Sequence, residues 1–264
     1  MLKHHLDLVC DDVWQRLENS KRFNISQGEE TCTDNLLLYL ASQRLSTINI
    51  IKTPKNKESV QGTDWEWWIG NEKTGFLRYA VQAKKLDLKT HRYACLKQKV
   101  GKGASAQFQH KILEDYANAN KAIPLYAFYN HLDTLHLPKK WNCPLPLDHS
   151  KLGCTVTPLN NVKNAISQIG ARTFDKIHSL PETVPLRCLA VCPHLALTSV
   201  QSGKAKIQPF GLDARIYENP WKWLREIGDL QSFDQLPCEY YNHELGYYPK
   251  RILLIETSES DFKK

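Results

Sequence analysis

The residues with the most chemical potential are Asp64, Gln82 and Lys84, in the segments Gly62-Thr63-Asp64-Trp65-Glu66-Trp67-Trp68 and Tyr79-Ala80-Val81-Gln82-Ala83-Lys84. On a strand, alternate residues share a face. Asp64, Glu66 and Trp68 therefore point one way, and Trp65, Trp67 and Ile69 the other. Tryptophan on both faces predicts a strand covered on both sides, where a carboxylate needs a partner or a metal ion. Gln82 and Lys84 also share a face, and a hairpin can bring that face beside Asp64. A carboxylate, an amide oxygen and an ammonium would then converge at a sheet edge. Mg2+ (or Mn2+) prefers such oxygen ligands. A nearby lysine can orient or deprotonate a water and stabilise the charge growing on a phosphate. The group as a whole predicts metal-assisted phosphodiester hydrolysis.

One carboxylate and one amide make a weak metal site, so a second carboxylate is expected. Ser26-Gln27-Gly28-Glu29 fits a capping box, which occupies Glu29 and leaves Glu30. At helical spacing Glu30, Thr33, Leu37 and Leu40 fall on one stripe, and the leucines turn that stripe toward the core. Glu30 would then reach the sheet edge from a helix end. Simpler readings stand beside these. Asp64 and Glu66 could be strand-end charges paired with Lys84 and Arg78, Glu30 could complement a helix dipole, and the tryptophans read as core rather than as base-stacking platforms.

Helix-borne Glu30, then Gly62-Thr63-Asp64, then Val81-Gln82-Ala83-Lys84, resembles the catalytic core of the PD-(D/E)xK restriction-endonuclease-like nucleases. The likeness is nearest to the Mrr-type branch, in which glutamine replaces the acidic residue of the last motif. Thr63 stands where the motif name has proline. The resemblance implies that Asp64, Gln82 and Glu30 are metal ligands for Mg2+ (or Mn2+) and that Lys84 is the catalytic lysine. Gln107, early in the following helix, is similar to a polar residue near the site in many members, and Lys85 is a further substrate-binding candidate. It implies a DNA endonuclease, in defence against foreign DNA, with nucleic acid as partner and a homo-oligomer or an activating subunit as a possible control. The likeness covers residues 26–130 and none of 131–264. The alternatives are a non-catalytic nuclease-fold module that binds nucleic acid or a partner, a ribonuclease, and a zinc-containing interaction protein.

The elements that must position these residues follow from periodicity. Amphipathic spacing predicts helices over 6–20, 27–45, 104–120 and 159–170, and Pro220 opens a short helix to Ile227. Strands are expected over 47–51, 63–69, 76–84, 123–129, 186–192 and 251–256, with a turn-rich connector at Gly70–Gly75. The expected fold is α/β: a restriction-endonuclease-like core of a mixed sheet flanked by helices over 1–130, with an elaborated half, 131–264, packed on the same sheet.

The 264 residues suffice for one large domain or a core with an extension. At 42% hydrophobic and 24% charged the composition is that of a globular protein. No apolar run approaches the ~18 residues of a membrane span, so no membrane partner is expected. The first residues lack an apolar signal core, which predicts a cytoplasmic protein. Lys and Arg exceed Asp and Glu by 35 to 28, and the +7 balance admits a polyanionic partner. Basic residues cluster at Lys84, Lys85, Lys89, Arg92, Lys97, Lys99 and Lys102, near the expected site. The eight cysteines include no C-x-x-C pair. A zinc set could be drawn from Cys188, Cys192 and His194 with Cys143, His149 and Cys154, but Cys188–Cys192 reads as a buried apolar strand with inert thiols.

Overall fold

A computed structural model of the protein describes residues 2–52, 63–73, 75–191, 197–201, 204–207, 212–215 and 251–257. The chain opens with two helices, α1 (Leu2–Phe23) and α2 (Glu29–Ser42). Leu2, Leu6, Val9, Val13 and Leu17 of α1 recur every three or four residues and are all buried. Strands β1 (Ile48–Lys52), β2 (Trp65–Asn71) and β3 (Gly75–Lys85) follow. The short β4 (Lys99–Val100) and β5 (Gln107–Phe108) pair with each other. Then come α3 (Gln109–Ala119), β6 (Ile123–Tyr129), β7 (Cys154–Pro158), α4 (Leu159–Ser167), α5 (Phe174–His178), β8 (Val184–Pro185) and α6 (Cys188–Val191). Strands β9 (Leu197–Gln201), β10 (Lys204–Ile207) and β11 (Leu212–Arg215) form an antiparallel sheet of their own. The last strand is β12 (Arg251–Glu256).

Among the described residues seven strands make the central mixed sheet, in the order β1-β12-β2-β3-β6-β7-β8. β12 pairs antiparallel with β1 and parallel with β2, so a late segment is inserted between two early strands. β7 and β8 extend the opposite side. Both ends of the second half are thus built into the sheet that carries Asp64, Gln82 and Lys84.

Alternation along the central strands fills two cores. Trp65, Trp67, Tyr79, Val81 and Ala83 pack against α1 and α2 on one face. Ala80, Tyr126 and Phe128 pack against Leu113 and Tyr116 of α3 and Leu159 and Val162 of α4 on the other. Gly70 closes the β2–β3 hairpin, where any Cβ would collide with the Gly75 carbonyl.

Some boundaries differ from the periodicity. The helix expected over 104–120 starts at Gln109, because 107–108 pair with Lys99–Val100 instead. The strand expected over 186–192 is the short α6; a brief apolar run fits a buried helix turn as well as a strand. Cys192, His194, Cys238 and the helix expected after Pro220 lie outside the described residues.

Candidate active site

Strand register does the positioning. In the antiparallel β2–β3 pair Trp65 faces Val81 and Glu66 faces Ala80, so one step further Asp64 stands opposite Gln82. The Asp64 backbone N–H donates to the Val81 carbonyl at 2.9 Å. The buried Thr63 hydroxyl, 2.8 Å from the Trp65 carbonyl and 3.0 Å from that of Val81, pins the start of β2. The half-buried Asp64 carboxylate accepts the Ala83 N–H at 2.9 Å and the Gln82 side-chain N–H.

Gln82 is 1% exposed, yet its buried Oε1 has no hydrogen-bond partner among the described residues. A buried acceptor left without a donor is costly and calls for an occupant. Tyr126 faces Gln82 in the parallel β3–β6 pair, and its buried hydroxyl is likewise unpartnered among the described residues. Burial, and then the charge of Asp64, push the Tyr126 hydroxyl pKa up, so it is a neutral O–H at neutral pH. Gln82 presents its amide N–H to Asp64 here, and turning the amide over would set its oxygen beside the carboxylate, an oxygen pair that suits a hard cation filling its remaining positions with water. The side chains present therefore fit Mg2+ or Mn2+, with Asp64 supplying the charge and Gln82 a neutral oxygen.

Lys84 follows on the same face of β3. It is 2% exposed and donates to Gln98 Oε1 at 3.3 Å. Its ammonium also lies 3.8 Å from the Glu29 carboxylate.

Here the expected division of roles changes. Helix α2 starts at Glu29 with Gly28 as its N-cap, and no side chain caps it. Ser26 is therefore not the cap, and Glu29 is not held in a capping box. Glu29 instead accepts the Lys85 backbone N–H at 3.1 Å and reaches Lys84. One turn on, Thr33 lies 2.6 Å from the Tyr129 hydroxyl, so Glu29, Thr33, Leu36 and Leu40 share the inward stripe. Glu30, named as auxiliary carboxylate and metal ligand, is exposed and sits about 100° around the helix. The carboxylate that α2 brings to β3 is Glu29, and the signal was its spacing to Thr33, Leu36 and Leu40.

Two other assignments shift. Lys85 points away from Lys84 and donates to the Gln27 carbonyl at 2.5 Å, tying the α2 start to β3 rather than facing a substrate. Gln107 is exposed on β5 and not in a helix; the polar residue at the head of α3 is Gln109, whose buried Oε1 is unpartnered among the described residues. Nothing in the sequence pointed to Gln98, which arrives from the loop before β4. Glu66 is fully buried and belongs elsewhere: it pairs with Arg78 at 2.5 Å and accepts from Tyr116 and Trp68. The pairing with Arg78 read from the sequence is present.

Of the described cysteines, Cys10, Cys32 and Cys154 are buried thiols. Burial raises the thiol pKa of Cys10 to about 12 and of Cys32 to about 11, and raises that of Cys154 as well. His149 is bonded to the Pro138 carbonyl at 2.9 Å and Cys143 to Arg187 at 3.5 Å. No helix of the described residues is long and apolar enough to cross a membrane.

In comparisons with known proteins, residues 3–260 match a family of unknown function (DUF6615). No curated protein and no solved structure matches the chain.

Proposed function

We propose that this chain, which belongs to the family of unknown function DUF6615, is a metal-dependent nuclease of the PD-(D/E)xK type that cuts DNA. The observation that carries the reading is the buried Gln82 amide, whose N–H meets the Asp64 carboxylate and whose Oε1 is unpartnered among the described residues, with the Lys84 ammonium on the same strand face. Asp64 and Gln82 would hold Mg2+ or Mn2+, which would supply Lewis-acid polarisation of the scissile phosphate. Lys84 stabilises charge on the phosphoryl oxygens and orients the attacking water. Gln98 and Glu29 fix the direction of its ammonium before substrate arrives, so no reorganisation is needed during reaction.

The surroundings suit a polyanion. Lys97, Lys99 and Lys102 are exposed around Gln98, and the Lys99 ammonium lies 4.8 Å from the ring centre of the exposed Phe108. Phosphate contacts by lysine and stacking on an aromatic ring are the common grammar of nucleic-acid grooves. A role in defence against foreign DNA, and control by self-association or an activating subunit, complete the proposal.

The test is cleavage of plasmid DNA, single-stranded DNA and RNA with Mg2+, with Mn2+ and with EDTA. Wild type should cut DNA only with metal, and Asp64→Asn should not cut. Metal should raise the melting temperature of wild type by binding the native state alone, and not that of Asp64→Asn. Asparagine keeps an oxygen for the Ala83 N–H, so metal-free stability should stay within about 1 kcal/mol. Intact substrates with no metal-induced shift would overturn the enzyme reading, and cleavage of RNA alone would make it a ribonuclease.

The same assay separates the two adjacent glutamates. Glu29→Gln should reduce cleavage severalfold by loosening Lys84, while Glu30→Gln leaves it unchanged. An equal effect, or the reverse order, would return the auxiliary role to Glu30.

A further inference from the structure

We propose that His91, Asp133 and His136 form a second metal site, for a borderline divalent ion of the Zn2+ class. The site is chemically distinct from the oxygen pair Asp64 and Gln82 and does not depend on the nuclease reading. His91 lies on the turn that follows β3, and Asp133 and His136 on the loop that follows β6. β3 and β6 are parallel neighbours, so both loops leave the same end of the sheet. One ligand atom from each of the three residues lies within 4.8 Å of the others, and His91 Nε2 is 3.8 Å from Asp133 Oδ2. Atoms bound to one tetrahedral Zn2+ at about 2.0–2.1 Å stand roughly 3.3 Å apart, so small side-chain rotations close the set.

Three further observations favour an ion. The buried Nε2 of His91 has no hydrogen-bond partner among the described residues. The His91 backbone is fixed: its N–H donates to the Asp87 carbonyl at 2.9 Å, and its carbonyl accepts from the Phe174 N–H at 3.0 Å. Its backbone takes φ 52°, a left-handed conformation uncommon outside glycine, which the surrounding turn enforces.

Two imidazoles and one carboxylate, with a position left for water, select Zn2+, Co2+ or Ni2+ over Mg2+, which takes oxygen ligands and keeps its waters. Asp133 already holds a cation: the Lys21 ammonium donates to its Oδ2 at 2.5 Å. Both partners are over a third exposed, at 36% and 43%, so the pair is weak and an incoming ion can displace the lysine into water.

The experiment is isothermal titration of the full chain with Zn2+, repeated with Co2+ under visible absorption. Wild type should bind a Zn2+ equivalent that His136→Ala and His91→Ala bind more than about tenfold more weakly or not at all. His136 is exposed, so its alanine variant keeps the fold even where His91→Ala does not. Lys21→Met should bind several-fold more tightly than wild type, because it removes the competing ammonium. The Co2+ form should show d–d bands without sulfur-to-cobalt charge transfer. Equal Zn2+ binding by wild type and His136→Ala would overturn the site, as would thiolate charge-transfer bands unchanged in the histidine variants. A Lys21→Met chain that binds no more tightly would also count against it.

Discussion

Lys84→Met should lose cleavage by about 10²–10⁴-fold at saturating metal while the protein stays folded. The size follows from where the ammonium stands. It is 2% exposed, held by Gln98 at 3.3 Å and by the nearby Glu29, on the strand face that carries Gln82. A preorganised cation in a water-poor site is worth far more to a developing phosphorane-like charge than to the ground state. The stability change should be small. Methionine fills most of the lysine stem, and Glu29, with 31% of its side chain exposed, can be answered by water. Single-turnover cleavage and a thermal melt of the same preparation decide the matter. A variant that cuts as fast as wild type removes Lys84 from the chemistry, whatever its melting temperature.

The largest stability effect should come from a different pair. Arg78→Ala should destabilise the protein by about 3–5 kcal/mol, because it strands a fully buried carboxylate. Glu66 has no exposed surface, and Arg78 meets it through both Nε and Nη2 while also donating to the Asn120 carbonyl at 3.2 Å. Tyr116 and Trp68 still donate to Glu66 in the variant, but neither supplies a counter-charge. The double variant Glu66→Gln with Arg78→Met removes both charges and should recover much of the loss. Denaturant melts of the three proteins test this; a single variant within about 1 kcal/mol of wild type would mean that water reaches Glu66 once Arg78 is gone.

How far the sequence led differs from element to element. Asp64, Gln82 and Lys84 were legible as a group because strand alternation has a period of two and the Gly70–Gly75 connector is short, which leaves one register that buries the tryptophans. The two faces of β2 came out as read, with Trp65 and Trp67 in one core and Glu66 and Trp68 turned the other way. The carboxylate that α2 brings against β3 is Glu29, one residue from the Glu30 expected there. A capping pattern placed the start of α2 too early, and each residue of helix turns a side chain by about 100°, so a small boundary shift moves a role from one glutamate to the next. Gln98 and the trio His91, Asp133 and His136 come together only through loops, where no periodicity links sequence to space. The short helix at 188–191 follows from packing that local propensity does not encode.

The place of β12 has a consequence for the time at which the molecule can act. Ile252–Ile255 must slide between Ile48–Ile51 and Glu66–Ile69, and only then is β2 flanked on both edges. Contacts between segments so far apart along the chain form late and slowly. A ribosome that has made residues 1–130 has synthesised Asp64, Gln82 and Lys84, but the strand that precisely spaces Asp64 still lacks a neighbour. If the proposed cleavage activity is present, the nascent chain should therefore remain unable to cut until residue 256 has emerged.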